Sequence, residues 1–336
     1  MKHSKRRRSS IFAISRPAAA AVVVITIGFV MAVFAAQPAP CQTFTVLHAF
    51  SGGGDGASPW AGLTMDQAGN FYGTTAFGGA SGCKGSCGTV FKLTHRGSGW
   101  ALNTLYSFRG GQDGAFPEAR AIIGPDGALY GTTAGGGGGS CTQYYYSGCG
   151  TVFRLAPPAS ACKIALCPWT ETVLYRFTGQ TDGASPTLGD LLLFDQAGSL
   201  YGTASLGGSS NCTQGCGVVF KLTPSNGGWT ETTVYSFTGP DGAWPFGGLI
   251  FDAAGNLYGT TESGGSYNYG AIYELMPSDS GWNEKQPVLV AGLLFSDAEG
   301  AEDQVQDVVG GSRAGDVVQR TQRTVEVEQK HLVWGL

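Results

Sequence analysis

The chain has 336 residues, a formal net charge of −4, 13% charged residues and 55 glycines. Lys2, Lys5, Arg6, Arg7, Arg8 and Arg16 precede everything else and no later segment holds a basic run, which argues against a nucleic-acid-binding surface. A hydrophobic content of 42% over this length supplies one sizeable core, and glycine at this density disfavours helix throughout.

The basic start is followed by an uncharged run from Pro17 to Pro40 with small residues at Val33, Ala35 and Ala36. A basic head, an apolar core and a small-residue exit predict an export signal over residues 1–40. The apolar run Ala18–Ala36 also nearly reaches the span of a bilayer, so an uncleaved N-terminal anchor is the alternative, and the only membrane contact expected. Arg7-Arg8 and Cys41 are poor matches to twin-arginine and lipoprotein signals. The expected location is outside the cytoplasm: extracellular, cell-surface or periplasmic.

From residue 43 the chain repeats itself. Thr43–Phe50 reads as a short apolar strand; then D-G-A turns start at Asp55, Asp113, Asp182 and Asp241, and Y-G-T segments start at Tyr72, Tyr130, Tyr201 and Tyr258, 57 to 71 residues apart. A period this long is a whole supersecondary unit. Each copy holds four short apolar or alternating runs between turn signals: A (Gly-Leu-x-x-Asp), B (Leu-Tyr-Gly-Thr), C (Val-Phe-Lys-Leu) and D (Leu-Tyr-Ser-Phe). Each is expected as a strand of five to nine residues. The fold class is therefore all-β, a β-propeller of four-stranded antiparallel blades in four repeats, because radial repetition protects sheet edges. Residues 41–286 form the repeat domain.

Complete D runs end at Phe108, Phe177 and Phe237, whereas after Trp282 the motif is lost. Thr43–Phe50 is expected to complete the fourth blade and close a four-bladed ring. The alternative is a larger propeller truncated near Lys285, with residues 287–336, rich in charge and free of Tyr and Cys, as a non-repeat tail.

Eight of the nine cysteines fall in local pairs: Cys83 and Cys87, Cys141 and Cys149, Cys162 and Cys167, Cys212 and Cys216. In an exported chain, loop disulfides are the expectation; the loops offer no His and almost no carboxylate to complete a metal site. The fourth copy carries Ser266-Tyr267-Asn268 in place of its pair.

Asp66, Asp126, Asp195 and Asp252 stand in the A-to-B turn and are expected to accept turn N–H groups. The Tyr of Y-G-T should bury its ring between blades, and its Gly should let two sheets approach. Strand parity puts the D-to-A turns and the B-to-C loops on one face. Asp55, Asp113, Asp182 and Asp241 share that face with Trp60 and Trp244, which read as following the turn in copies one and four, making it the candidate ligand-binding face. Four Asp could hold Ca²⁺, although an Asx turn accounts for each of them; no other cofactor is called for.

Catalytic material is scarce. His48 and His95 are the only histidines of the repeats, Glu118, Glu171, Glu231 and Glu262 are scattered, and the Gly135–Gly139 run lacks the features of a phosphate loop. The expectation is a non-enzyme with no catalytic and no metal residues.

The runs Leu257-Tyr258-Gly259-Thr260-Thr261 to Leu275, and Gly88-Thr89-Val90-Phe91-Lys92-Leu93-Thr94 to Leu105-Tyr106-Ser107-Phe108, resemble the Gloeo/Verruco tandem repeat over residues 43–285. That resemblance implies extracellular display of a propeller-like array by an exported bacterial protein, and it brings no activity or catalytic residues. The expected function is a binding or surface-interaction module for a glycan or a protein. A carbohydrate-active extracytoplasmic enzyme on the same face is one alternative, and a ligand-free spacer another.

Overall fold

The computed structural model describes residues 43–288 apart from 81, 84–85, 143–146, 159–168, 187–191 and 279–280. The predicted signal, the tail beyond residue 288 and the Cys162/Cys167 pair lie outside the described residues. Two units divide the chain, one formed by Met1–Ala49 and Arg96–Trp100 and the other by the rest. In the first, Thr43–Ala49 has no regular structure and Arg96–Trp100 is a hairpin tip. The second holds the repeats.

Four antiparallel sheets of four strands follow one another, each in the order A-B-C-D. Blade one comprises β1 (Thr64–Met65), β2 (Phe71–Thr75), β3 (Thr89–Arg96) and β4 (Gly99–Ser107). Blade two comprises β5 (Ile122–Ile123), β6 (Leu129–Thr133), β7 (Thr151–Ala156) and β8 (Thr170–Arg176). Blade three follows as β9 (Leu193–Phe194), β10 (Leu200–Ala204), β11 (Val218–Ser225) and β12 (Gly228–Ser236). Blade four is β13 (Ile250–Phe251), β14 (Leu257–Thr261), β15 (Ala271–Ser278) and β16 (Gly281–Val288). Among the described residues no helix is long and apolar enough to cross a membrane.

The core lies between the blades. Tyr72, Val90 and Phe108 of blade one and its exit meet Ala121, Leu129 and Phe153 of blade two; Tyr130, Val152 and Phe177 meet Leu192, Leu200 and Phe220; Tyr201, Val219 and Phe237 meet Leu249, Leu257 and Tyr273. Full burial of one such side chain stabilises by about 1.5–3 kcal/mol, so each interface rests on a handful of repeated residues. The register repeats as well. The C and D strands shift against each other at Val152/Phe153, Val219/Phe220 and Ile272/Glu274, a recurrent bulge that bends and twists the blade.

Three expectations are corrected. The A strands are two residues long, pairing with the B strand only next to the A-to-B turn. The fourth D strand does form: β16 pairs with β15 from Ile272↔Val288 to Ser278↔Gly281, through a backbone ladder that needs no L-Y-S-F. Thr43–Phe50 is consequently not the closing strand of blade four. Thirdly, the space denied by the Y-G-T glycine belongs to its own sheet. A Cβ on Gly73, Gly131 or Gly202 would lie 2.5, 2.6 or 2.6 Å from the ring tip of Phe91, Phe153 or Phe220, its cross-strand partners.

Candidate functional site: the loop edge of the blades

Antiparallel order brings the D-to-A turns and the B-to-C loops to the same edge, and single bridges zip them together. Ala57 pairs with Phe77, Ala115 with Gly135, Ala184 with Leu206 and Ala243 with Ser263. The D-G-A glycine makes this approach possible: Gly56 has φ 102°, and a Cβ there would fall 2.2 Å from Thr75 Oγ1.

The residue after the D-G-A alanine takes the left-handed conformation in every copy, at Ser58, Phe116, Ser185 and Trp244, with φ between 54° and 60°. Non-glycine residues pay for this region with strain, so a compensating contact is expected. In three copies it is the same one: the N–H groups of Phe116, Ser185 and Trp244 donate to the carbonyls of Cys87, Cys149 and Cys216 at 2.8 Å. Each turn thus hooks onto the loop of the preceding blade.

That loop is cross-linked. Cys83–Cys87, Cys141–Cys149 and Cys212–Cys216 are disulfides, as the spacing suggested. The bond packs on the turn that enters the next blade: a Cβ on Gly110 would lie 2.8 Å from Cys83 Sγ. Blade four has instead a hydrogen-bonded loop, in which Gly264 N donates to Asn268 Oδ1 at 3.2 Å.

The four candidate Asp residues sit on this edge, each with its carboxylate engaged by its own turn. Asp55 accepts from Ser51 N at 2.8 Å and from the Ser51 hydroxyl. Asp113 accepts from Arg109 N at 2.7 Å and from the Tyr106 hydroxyl. Asp182 accepts from Thr178 N at 2.7 Å and from Tyr175 at 2.9 Å, and Asp241 from Thr238 N at 2.7 Å and from the Tyr235 hydroxyl. Burial and the bond to Asp113 push the Tyr106 phenol well above its ordinary range, so it stays a donor. Among the described residues no three His, Cys, Asp or Glu side chains converge as metal ligands. The sequence pattern of a D-strand Tyr followed by a D-G-A Asp is this hydrogen bond.

The opposite edge carries a matching pair. Asp66, Asp126, Asp195 and Asp252 take turn N–H groups and the hydroxyls of Tyr72, Tyr130, Tyr201 and Tyr258 at 3.1 to 3.3 Å. Burial raises the Asp66 carboxyl, and its bonds from Asn70, Tyr72 and Ala68 together outweigh this and hold it below the ordinary value.

Trp60 and Trp244 are not equivalent. Trp244 follows Ala243 directly, is half-buried, and donates its indole N–H to Gly215 O at 3.2 Å. Trp60 lies beyond the proline, stands edge-on to Phe77 and is 53% exposed. The offset is present in the sequence, where Trp60 lies five residues after Asp55 and Trp244 three after Asp241. Two further aromatics on this edge were not singled out: Tyr267 and Tyr269, 66% and 88% exposed in the B-to-C loop of blade four. Their signal was present, since they occupy the place where the other copies hold cysteine.

Three glutamates have raised pKa values of about 7. For Glu118 the cause is burial. For Glu171 it is burial and then the charge of Asp113, and for Glu231 burial, offset by a bond from Thr233 and reinforced by Asp182. Glu171 and Glu231 pair with Leu155 and Leu222 on the C strands of successive blades.

Four-stranded antiparallel blades packed in series, with loops of alternate parity on two edges, define a β-propeller repeat protein. The model of the Gloeobacter/Verrucomicrobia repeat matches residues 31–166 and 139–304, and the chain belongs to that repeat family. No curated protein matches it. Among solved structures it is similar to an α-L-arabinofuranosidase from Clostridium thermocellum, with 14% identity over 69% of this chain and 74% of that one and a TM-score of 0.37. A protein of unknown function from Dyadobacter fermentans is similar at 11% identity, 66% and 67% coverage and a TM-score of 0.40. The fold rests on the sheets themselves and not on these likenesses.

Proposed function

We propose that this chain is an exported binding module that engages a glycan or a protein surface through its loop edge. The observation that carries the reading is the B-to-C loop of blade four, where Tyr267 and Tyr269 stand in solvent on the same edge as the exposed Trp60. Aromatic rings held on a rigid loop suit stacking against sugar faces or packing into a protein groove, and they lose little conformational entropy on binding. Three disulfides in short loops favour an oxidising compartment, which accords with the basic and apolar N-terminus.

The test is a panel of soluble cell-wall and capsular polysaccharides titrated against the full chain and its Tyr267→Ala/Tyr269→Ala variant. Saturable binding that falls at least about tenfold in the variant is the expected result. Absence of saturable binding to polysaccharide and to cell-surface protein alike would leave the spacer reading. The enzymatic reading draws on Glu171 and Glu231, whose raised pKa values suit acid–base work. It requires turnover that Glu171→Gln or Glu231→Gln abolishes without loss of folding.

A further inference from the structure

In blades one to three the carbonyl just ahead of the D-G-A aspartate is held by the D strand of the same blade, and the donor differs. In blade one Thr104 of β4 donates its hydroxyl to Gly54 O at 2.9 Å, and in blade three Thr233 of β12 donates to Thr181 O at 3.2 Å. Blade two carries Val173 at the register position of Thr233, each opposite the C-strand Phe, and there the Arg176 Nε–H reaches Gln112 O at 3.1 Å instead.

Of the two threonines only Thr233 also reaches a carboxylate, Glu231 Oε1 on the same strand, at 3.1 Å. A hydroxyl has one hydrogen and cannot give a full bond to both acceptors. While Glu231 is ionised its carboxylate is the stronger acceptor and takes that hydrogen, leaving Thr181 O without it. Once Glu231 is protonated, its own O–H donates to Thr233 Oγ1 and the threonine hydrogen turns to Thr181 O. The other blades isolate the pair. Blade one has Leu102 in the place of Glu231, and its threonine bond is shorter; blade two has Glu171 beside Val173, and the Glu171 Oε1 is buried without a hydrogen-bond partner.

We infer that Glu231 and Thr233 form a proton-controlled latch on the D-to-A turn entering blade three: protonation of Glu231 closes the Thr233–Thr181 bond, and loss of that proton to solvent releases it. Asp182 of the latched turn is the carboxylate whose charge bears on Glu231. From β8, which packs beside β12, Tyr175 donates to Asp182, and burial and that bond hold its phenol well above the ordinary range, so it stays a donor. Across the sheet Glu231 pairs with Leu222, while Lys221 faces the other side of β11, 3.6 Å from Asp195. Among its described side chains β16 brings no charged group to β12. Burial, offset by the Thr233 bond and reinforced by Asp182, lifts Glu231 to about 7, so the latch is closed below neutral pH and open above it.

The test follows amide hydrogen exchange of the full chain at pH 5 and pH 8, each rate divided by that of the unfolded chain at the same pH. Gly179 and Gly183, whose N–H groups close the blade-three turn, are expected to lose protection roughly fivefold between the two, as for one hydrogen bond released. Gly52 and Gly56, in the blade-one turn under the uncontested Thr104, should stay level. Glu231→Gln, whose amide donates to Thr233 at every pH, should keep the protection of pH 5 throughout, and Thr233→Val, the residue of blade two, that of pH 8. Glu118 and Glu171 titrate over the same range and remain in both variants, so a fall that persists in Glu231→Gln overturns the inference. So does a blade-three turn equally protected at both pH values in the unsubstituted chain.

Discussion

Blade three and blade four share one motif and differ in surroundings. In blade three Val219 and Tyr201 are buried under blade four, whereas the equivalent Ile272 is 36% exposed and Tyr258 only half-buried. The same holds at the other end, where Leu192 is buried and Leu63 is not. Residue identity changes little between these positions; what changes is whether a neighbouring blade exists. Stability in such an array is a sum of blade and nearest-neighbour terms, so a residue's weight is set by its place in the series.

The largest break in that comparison should come from Gly202→Val. Its Cβ would lie 2.6 Å from the buried ring of Phe220, and urea denaturation is expected to show a loss of about 3 kcal/mol or more. A near-neutral result would mean the blade interior yields where the packing says it cannot. Next come paired truncations at interior and terminal sites. Leu192→Ala should cost about 3 kcal/mol and Leu63→Ala less than about 1, and Val219→Ala should exceed Ile272→Ala despite removing fewer atoms. Equal costs would show that both ends are covered.

A smaller effect follows from the disulfides. Cys212→Ser with Cys216→Ser should cost about 2 kcal/mol, as expected for closing a very short loop, with calorimetry showing a lower Tm. Blade four, which holds its loop by hydrogen bonds, should be unaffected by reductant.

The smallest is a pH effect. Burial lifts Glu118 from 4.5 to about 7 in the folded chain, so the folded state favours the protonated acid. Its contribution is complete below pH 4.5 and is lost as the pH rises through 7, about 1–2 kcal/mol after allowance for screening. Glu118→Gln should make the fall in stability between pH 5 and 8 shallower, leaving the part due to Glu171 and Glu231.

Much of this was legible in the sequence because it is written four times. Repeated Asp marked the acceptors of the A-to-B turns, strand parity placed the D-to-A turns and Cys-bearing loops on one edge, and spacing paired three of the disulfides. Illegible features are those that repetition does not encode. β16 forms without its motif because ladder pairing uses backbone groups, and Trp282 keeps its contact, 5.9 Å from Tyr201. Exposure of Met65, Leu63 and Ile272 reflects that no blade among the described residues covers them, which no residue announces. The prominence of Tyr267 and Tyr269 was hidden because their loop was read for the cysteines it lacks.

Blade-resolved hydrogen exchange on the full chain tests the nearest-neighbour account most directly. It predicts slow amides in β6, β7, β10 and β11, flanked on both sides, and exchange at least about tenfold faster in β14 and β15, which have one neighbour. Equal protection of β14–β15 and β10–β11 would contradict it, since blade four would then be covered as fully as the blades inside the series.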